Sequence, residues 1–339
     1  MQNVVNASAR SIDLRQRLVE VFRRPDSGAA AGTLLVFAVF SVTAGDTGFL
    51  TQAGTASWLN LAAELGIIAL PIGLLMIAGE FDLSVGSNLA ASSMVLAITQ
   101  SRWDLPLAAG VLITLAFGLA VGLLNGLLVT RSGLPSFIVT LVSLFSLAGA
   151  SLGLSRIIAG TTSISLRTSG VFHDLFAKQI GGFNVSILWW AALTFAAYWV
   201  LSQARFGSWI LAVGGDADSA RLTGVPINRV KMRLYLASGL CASLLGVVQA
   251  LEFQNADVTR GQSFVFQTIV AAVVGGCLLA GGYGSAIGIS LGAMTYAIVS
   301  LGVFYTGWST DWVQLFVGVL LLLAVLGNNL VQRLALTRI

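Results

Sequence analysis

Ten mostly apolar runs dominate the chain, at residues 28–44, 58–78, 84–100, 105–129, 135–155, 186–203, 233–252, 264–281, 285–305 and 312–329. A helix that crosses a bilayer needs about 20 such residues. Lipid offers backbone groups no hydrogen-bond partner, so such segments satisfy their own as helices. Composition agrees: 56% of residues are hydrophobic and only 9% charged, against about 45–50% and about 25% in soluble domains. The chain is therefore expected to be all-α, a polytopic membrane bundle of about ten transmembrane helices. One transmembrane domain over 28–329 is flanked by a cytoplasmic segment, 1–27, and a short cytoplasmic tail, 330–339. The first run is short, and only residues 79–83 separate the second from the third.

The basic residues set the orientation, because cytoplasmic loops carry an excess of Lys and Arg. With the N-terminus inside, ten spans place Arg10, Arg15, Arg17, Arg23, Arg24, Arg131, Arg205, Arg221, Arg229, Lys231, Arg233, Arg333 and Arg338 on the cytoplasmic side. Only Arg102, Arg156, Arg167, Lys178 and Arg260 fall outside. Both termini are expected in the cytoplasm, and the basic N-terminal stretch precedes an uncleaved first helix rather than a cleaved signal. The loop 156–185 then lies outside with the single histidine, His173. The loop 204–232 lies inside. Embedding Arg221, Arg229, Lys231 and Arg233 in lipid would cost roughly 10 kcal/mol. The net charge of +4 comes from these few polar segments, without interleaved aromatics, so no nucleic-acid partner is implied.

The catalytic inventory is nearly empty. Lys178 and Lys231 follow Ala177 and Val230, so no phosphate-binding Gly-Lys-Ser/Thr exists. One His and two separated Cys make no common zinc site. Cys241 and Cys277 lie inside apolar runs and read as buried thiols. No catalytic residue and no cofactor are expected. Two glycine series, Gly118, Gly122, Gly126 and Gly284, Gly288, Gly292, repeat every fourth residue. Such series let helices approach closely in lipid.

Three other stretches are informative. Gly214 to Pro226 reads as a short capped helix in the inside loop. Asp216 suits the N-cap, Gly224 the left-handed terminating position, and Pro226 a stop. At 1.5 Å per residue it is a rod of about 10 Å, far too short to span. Gly79-Glu80-Phe81-Asp82-Leu83-Ser84-Val85-Gly86 places two acids between apolar runs. It is either a tight cytoplasmic turn with solvated acids or a buried corner, with Asp82 or Ser84 capping the helix that restarts. Glu64 lies inside a span, and Gln249 and Glu252 end another beside Phe253. Intramembrane polar groups are functional candidates by default, and these four are candidate pathway-lining residues.

From about residue 60 onward the chain resembles the permeases of ribose-type sugar ATP-binding cassette (ABC) importers. Four segments in order carry the resemblance: Gly79–Gly86, Leu134-Pro135-Ser136-Phe137-Ile138-Val139-Thr140-Leu141, the 212–226 loop, and Val274-Gly275-Gly276 followed by Leu279-Ala280-Gly281-Gly282-Tyr283-Gly284. Glu80 and Phe81 stand where Gly and Ile are usual, and Asp216 where Asn is common. The resemblance implies a non-catalytic subunit of the bacterial inner membrane. It would pair with a second copy or homologue, two cytoplasmic ATPases and an extracytoplasmic sugar-binding protein. It also implies that Gly215, Asp216, Asp218, Ala220, Arg221 and Gly224 form the ATPase-coupling element, and that Gly79, Asp82, Ser84 and Gly86 form a family motif at a gate. Two alternatives stay open: an ion- or proton-coupled secondary transporter, and an ABC permease for another cargo such as a branched-chain amino acid.

Overall fold

The computed structural model describes residues 25–336. The N-terminal arginines and the last residues of the tail lie outside the described residues. The chain folds as an all-α bundle, in order α1 Pro25–Ala44, α2 Gln52–Ile77, α3 Val85–Ser101, α4 Leu107–Ser132, α5 Ser136–Ala159, α6 Val171–Ala177, α7 Ser186–Gln203, α8 Arg205–Gly215, α9 Ala217–Leu222, α10 Ile227–Glu252, α11 Phe264–Val274, α12 Ala286–Tyr305 and α13 Trp312–Leu336. A π-helical turn, Gly45–Phe49, follows α1. Short strands β1 Ser163–Ser165 and β4 Asn255–Asp257 pair antiparallel, as do β2 Gln179–Ile180 and β3 Phe183–Asn184.

Each of the ten apolar runs falls on a helix, but the helices are unequal. Among the described residues six are long and apolar enough to cross a membrane, or seven if α7 and α8, bent by 77° at their junction, count as one span. The other runs fall on helices that are short or, in α13, apolar only over Trp312–Gly327. α3 has 17 residues, and α11 ends after 11 because Gly275 and Gly276 close it and Gly276 takes φ +90°. The expected span 264–281 is thus half helix and half loop, since residues 275–284 leave helical geometry. At 1.5 Å per residue α11 covers about 16 Å, roughly half of a hydrocarbon core near 30 Å.

α2 and α10 form the centre. Their apolar windows are 89% and 83% buried within the chain, against 11% for α5 and 22% for α1, so the latter two face outward. The first glycine series is the seam between α4 and α10. A Cβ at Gly118 or Gly122 would overlap Gly239 O or Tyr235 O, and one at Gly126 would stand 2.7 Å from Met232 Sδ. Close backbone approach replaces a hydrophobic driving force here. In the second series Gly288 and Gly292 pack α12 against Gly275 and Ala271, while Gly284 lies before the helix, in the loop. Cys241 and Cys277 are free and buried.

Candidate functional site

The acids of the 79–86 stretch are buried, Glu80 at 7% exposure and Asp82 at 4%, which excludes the solvated turn. α2 stops at Ile77, Gly79 takes φ +78°, and the chain runs without helix to Ser84. Asp82 Oδ1 accepts from Ser84 N at 2.9 Å and Ser84 Oγ at 2.6 Å, and Oδ2 accepts from Ser238 Oγ at 2.7 Å. Within the turn Asp82 binds Ser84, and neither side chain caps the first turn of α3 as expected. Ser84 Oγ in turn accepts from Asn125 Nδ2 at 2.8 Å, and Ser143 Oγ donates to Asn125 Oδ1 at 2.5 Å. Ser238 lies about 16 Å along α10 from its start at Ile227. The corner is thus buried against protein, the setting in which irregular backbone between apolar helices persists.

The other resembling segments close on this corner. Phe81 N donates to Ser136 Oγ at 3.1 Å, and Tyr235 OH donates to Phe81 O at 2.9 Å. Lys231 forms an ion pair with Glu80, a bond the usual glycine cannot make. The 275–284 loop is pinned by Gly282 N donating to Ile77 O at 2.8 Å. A Cβ at Gly281 would stand 2.8 Å from Gly214 O and 3.0 Å from Gly79 Cα. All four segments thus meet at the end of the bundle that carries the 204–226 loop.

That loop holds more helix than its sequence suggests. α8 precedes the short helix and ends at Gly215, with Gly214 wedged against Ile77. α9 is the expected capped helix. Asp216 Oδ1 accepts from Asp218 N at 3.0 Å and Ser219 N at 3.2 Å, and Oδ2 from Ser219 Oγ at 2.7 Å. These bonds hold its pKa below the ordinary carboxylate value. Gly224 takes φ +86° and ends the turn. Ala220 is buried, Asp218 and Arg221 are exposed and 3.8 Å apart, and Leu222 is 90% exposed. Nothing in the sequence singled out Leu222, because an exposed leucine becomes visible only once the fold leaves it uncovered.

At the opposite end the 156–185 loop is strapped down. β1 pairs with β4, Gln254 Nε2 lies 2.9 Å from His173 Nε2, and Asn60 Nδ2 donates to Gly182 O at 2.9 Å. Beside this strap an open-sided cavity of about 420 Å³ is lined by residues that include Glu64, Gln249, Phe253, Arg260, Phe264 and Gln267. Three of the four candidate pathway residues meet there. Gln249 Nε2 donates to Glu64 Oε2 at 2.6 Å, and Phe253 lies 4.8 Å below the Arg260 guanidinium. Glu252 is not among the lining residues and instead accepts from Asn184. Arg260 and Gln267 carried no sequence signal, since both lie in or beside a short helix distant from Glu64 in the chain. Burial pulls the Arg260 pKa down, opposed by Asp257 and Glu64. Among the described residues no group of three or more His, Cys, Asp or Glu is placed to hold a metal ion.

Comparison with known proteins gives a consistent result. Residues 54–325 match the family model described as branched-chain amino acid transport system, permease component. The chain is 35% identical over 325 residues to a probable ABC transporter permease protein, y4mJ, of Sinorhizobium fredii, covering 94% of this chain and 93% of the relative. It is 31% identical to the fructose import permease protein FrcC of Rhizobium meliloti (82% and 78% covered). It is 30% identical to the ribose import permease protein RbsC of Escherichia coli (83% and 87% covered). No solved structure matches significantly.

Proposed function

The chain belongs to the family of permease components of branched-chain amino acid transport systems, and on that premise we propose that it forms the pathway of an ABC importer for a small sugar, a pentose, hexose or related polyol. Family membership makes it a multi-pass, non-catalytic transport subunit. The sugar is supported by relatives named for fructose and ribose import, matched over most of their length. The family description favours a second reading, a branched-chain amino acid as cargo. We place the protein in the bacterial inner membrane with ten membrane segments, the 264–281 segment being half helix and half loop, and with cytoplasmic termini, served by two ATPases, an extracytoplasmic binding protein and a second permease copy or homologue.

One observation carries the mechanism: Gly214, at the root of the capped loop, is wedged between Ile77 and Gly282. α9 docks on the ATPase through its exposed Leu222, while Asp216 and Gly224 hold its shape. Closure of the ATPases displaces α9, and the displacement passes through Gly214 to the end of α2, the Gly79–Gly86 corner and the 275–284 loop together. That is rigid-body switching of a packed element. Asp82, Ser84 and Gly86 anchor the corner that moves, and the Glu80–Lys231 pair ties it to α10.

Reconstitution of the full complex in proteoliposomes tests this. Leu222→Asp and Gly224→Val are expected to leave basal ATPase activity in place while uptake falls about tenfold or more, the effect of losing one buried apolar anchor. Coupled uptake at the wild-type level in both variants removes the docking role. Uptake by the permease alone, with no ATPase present, makes it a secondary transporter.

A further inference from the structure

The cavity beside the outer strap is built from parts the coupling mechanism does not use. Its volume, about 420 Å³, lies in the range of small-molecule sites, about 300–1,000 Å³. Glu64, at 8% exposure, spends one oxygen on the Gln249 amide. Gln249, at 3% exposure, keeps an Oε1 with no hydrogen-bond partner. A buried amide oxygen without a donor costs on the order of 1–3 kcal/mol, so a site that supplies one from a ligand recovers that cost. Phe253 is half exposed and backed by the Arg260 guanidinium, which fixes the ring as a plate with one face covered. Gln267, in the first turn of α11, shares its amide with the Tyr296 hydroxyl and still offers a donor and an acceptor.

The arrangement favours one chemical class. An amino acid zwitterion would need several N–H donors for its carboxylate. Arg260 already spends three of its five, Nη1 on Asn255 O at 2.5 Å and on Gln249 O at 3.4 Å and Nη2 on Asn255 Oδ1 at 2.9 Å. What remains is a carboxylate and an amide oxygen that accept, a glutamine that does both, and an aromatic face. Those groups match the hydroxyls and the C–H face of a neutral sugar ring.

We propose that Glu64, Gln249, Phe253 and Gln267, with Arg260 as the positioning residue under Phe253, form a monosaccharide-binding station at the outer end of the pathway. The inference rests on the sugar-importer reading above and gives it a place. α11 begins here and runs only about 16 Å, so the station opens above a half-length helix rather than above a continuous span.

Saturation-transfer-difference NMR on the purified full chain in nanodiscs tests the station without the ATPases, using D-ribose, D-xylose and D-fructose as probes and L-leucine beside them. Ring C–H signals are expected for at least one sugar. Phe253→Ala and Gln267→Ala should each weaken binding about tenfold, the scale of one lost contact of roughly 1.4 kcal/mol, while Phe253→Tyr should retain it. Both residues are partly exposed, so neither truncation threatens the fold. No signal from any of the three sugars, or a signal indifferent to both truncations, overturns the station. A leucine signal lost in the same variants overturns its carbohydrate class. The outcome is separable from that of the transport reading: coupled uptake by a wild type that shows no sugar signal sinks the station alone. Sugar binding without ATPase-dependent uptake sinks the importer reading.

Discussion

Replacing Asp82 separates two opposing effects at the buried corner. The carboxylate is taken out of water, which costs several kcal/mol for an isolated ion, yet it accepts three hydrogen bonds from Ser84 N, Ser84 Oγ and Ser238 Oγ. Asp82→Ala removes the charge and strands all three donors. The hydroxyls can turn toward other acceptors, but the Ser84 N–H cannot. Counting about 1–3 kcal/mol for that amide and about 1 for each hydroxyl, the loss is roughly 3–5 kcal/mol. The released desolvation cost offsets part of it. Asp82→Asn keeps one oxygen for Ser84 and can donate to Ser238 Oγ, so it sheds the charge while stranding little, and its net effect should stay within about 1 kcal/mol. At about 2 °C per kcal/mol, the low end for long chains, thermal unfolding in detergent should fall by at most about 6–10 °C for Ala, less what the released desolvation returns, and by no more than about 2 °C for Asn. Equal losses in the two variants would mean that charge, not hydrogen bonding, holds the corner. A gain for Ala would mean that the desolvation cost exceeds what the bonds return.

Two further variants probe the packing. Glu80→Gln should cost about 3 kcal/mol, the low end for a broken buried pair, because the Lys231 side chain keeps 22% exposure. Adding Lys231→Leu should recover most of that loss in a double-mutant cycle read by thermal unfolding. Gly122→Leu, which would overlap Tyr235 O, should cost about 3 kcal/mol or more by overpacking. Gly153→Leu on α5 meets open space and should stay within about 0.5 kcal/mol. Equal melting shifts for the two glycine variants would refute the assigned α4–α10 seam.

Much of this architecture was legible because lipid imposes length. A run such as 105–129 has one stable form in hydrocarbon, and α4, Leu107–Ser132, takes it. The cap at Asp216 was equally readable, since an acid, a following turn and a glycine–proline stop act within one another's reach. What the sequence hid is where a run stops being helix. Residues 264–281 are mostly apolar, yet the helix ends at Gly275–Gly276, where Gly288 and Ile289 of α12 press on Gly275 and Gly276 takes φ +90°. Hydropathy does not register a neighbouring backbone. The acids of 79–86 were ambiguous for the same reason: Ser238 and Lys231, which receive them, lie about 150 residues further along the chain. In the outer cavity Glu64 and Gln249 stood out as polar groups in apolar helices. Arg260 sat in an ordinary polar loop until β4 brought it over Phe253.

The junction at the capped loop and the cavity beside Glu64 are connected by backbone more than by side chains. Gly214 touches Ile77 O, Gly79 lies under Gly281, and the 79–84 chain leads into α3, where Gly86 meets Gly261 so closely that a Cβ on either would overlap the other's carbonyl. Gly261 is the neighbour of Arg260, which lines the cavity. A contact between two side chains can absorb a shift by changing rotamer. A contact between two glycines has no such slack, and close-packed interiors pass strain on. The route from the capped loop to the cavity is therefore short in compliance although it crosses much of the bundle. Two sites joined in this way bias one shared conformational equilibrium, and such coupling is reciprocal. On the proposed reading, an ATPase at the capped loop that changes the cavity's affinity for a sugar has its own affinity changed by that sugar by the same factor. What the glycines at 79, 86, 214, 261 and 281 bring to such a route is that they offer a neighbour nothing but backbone.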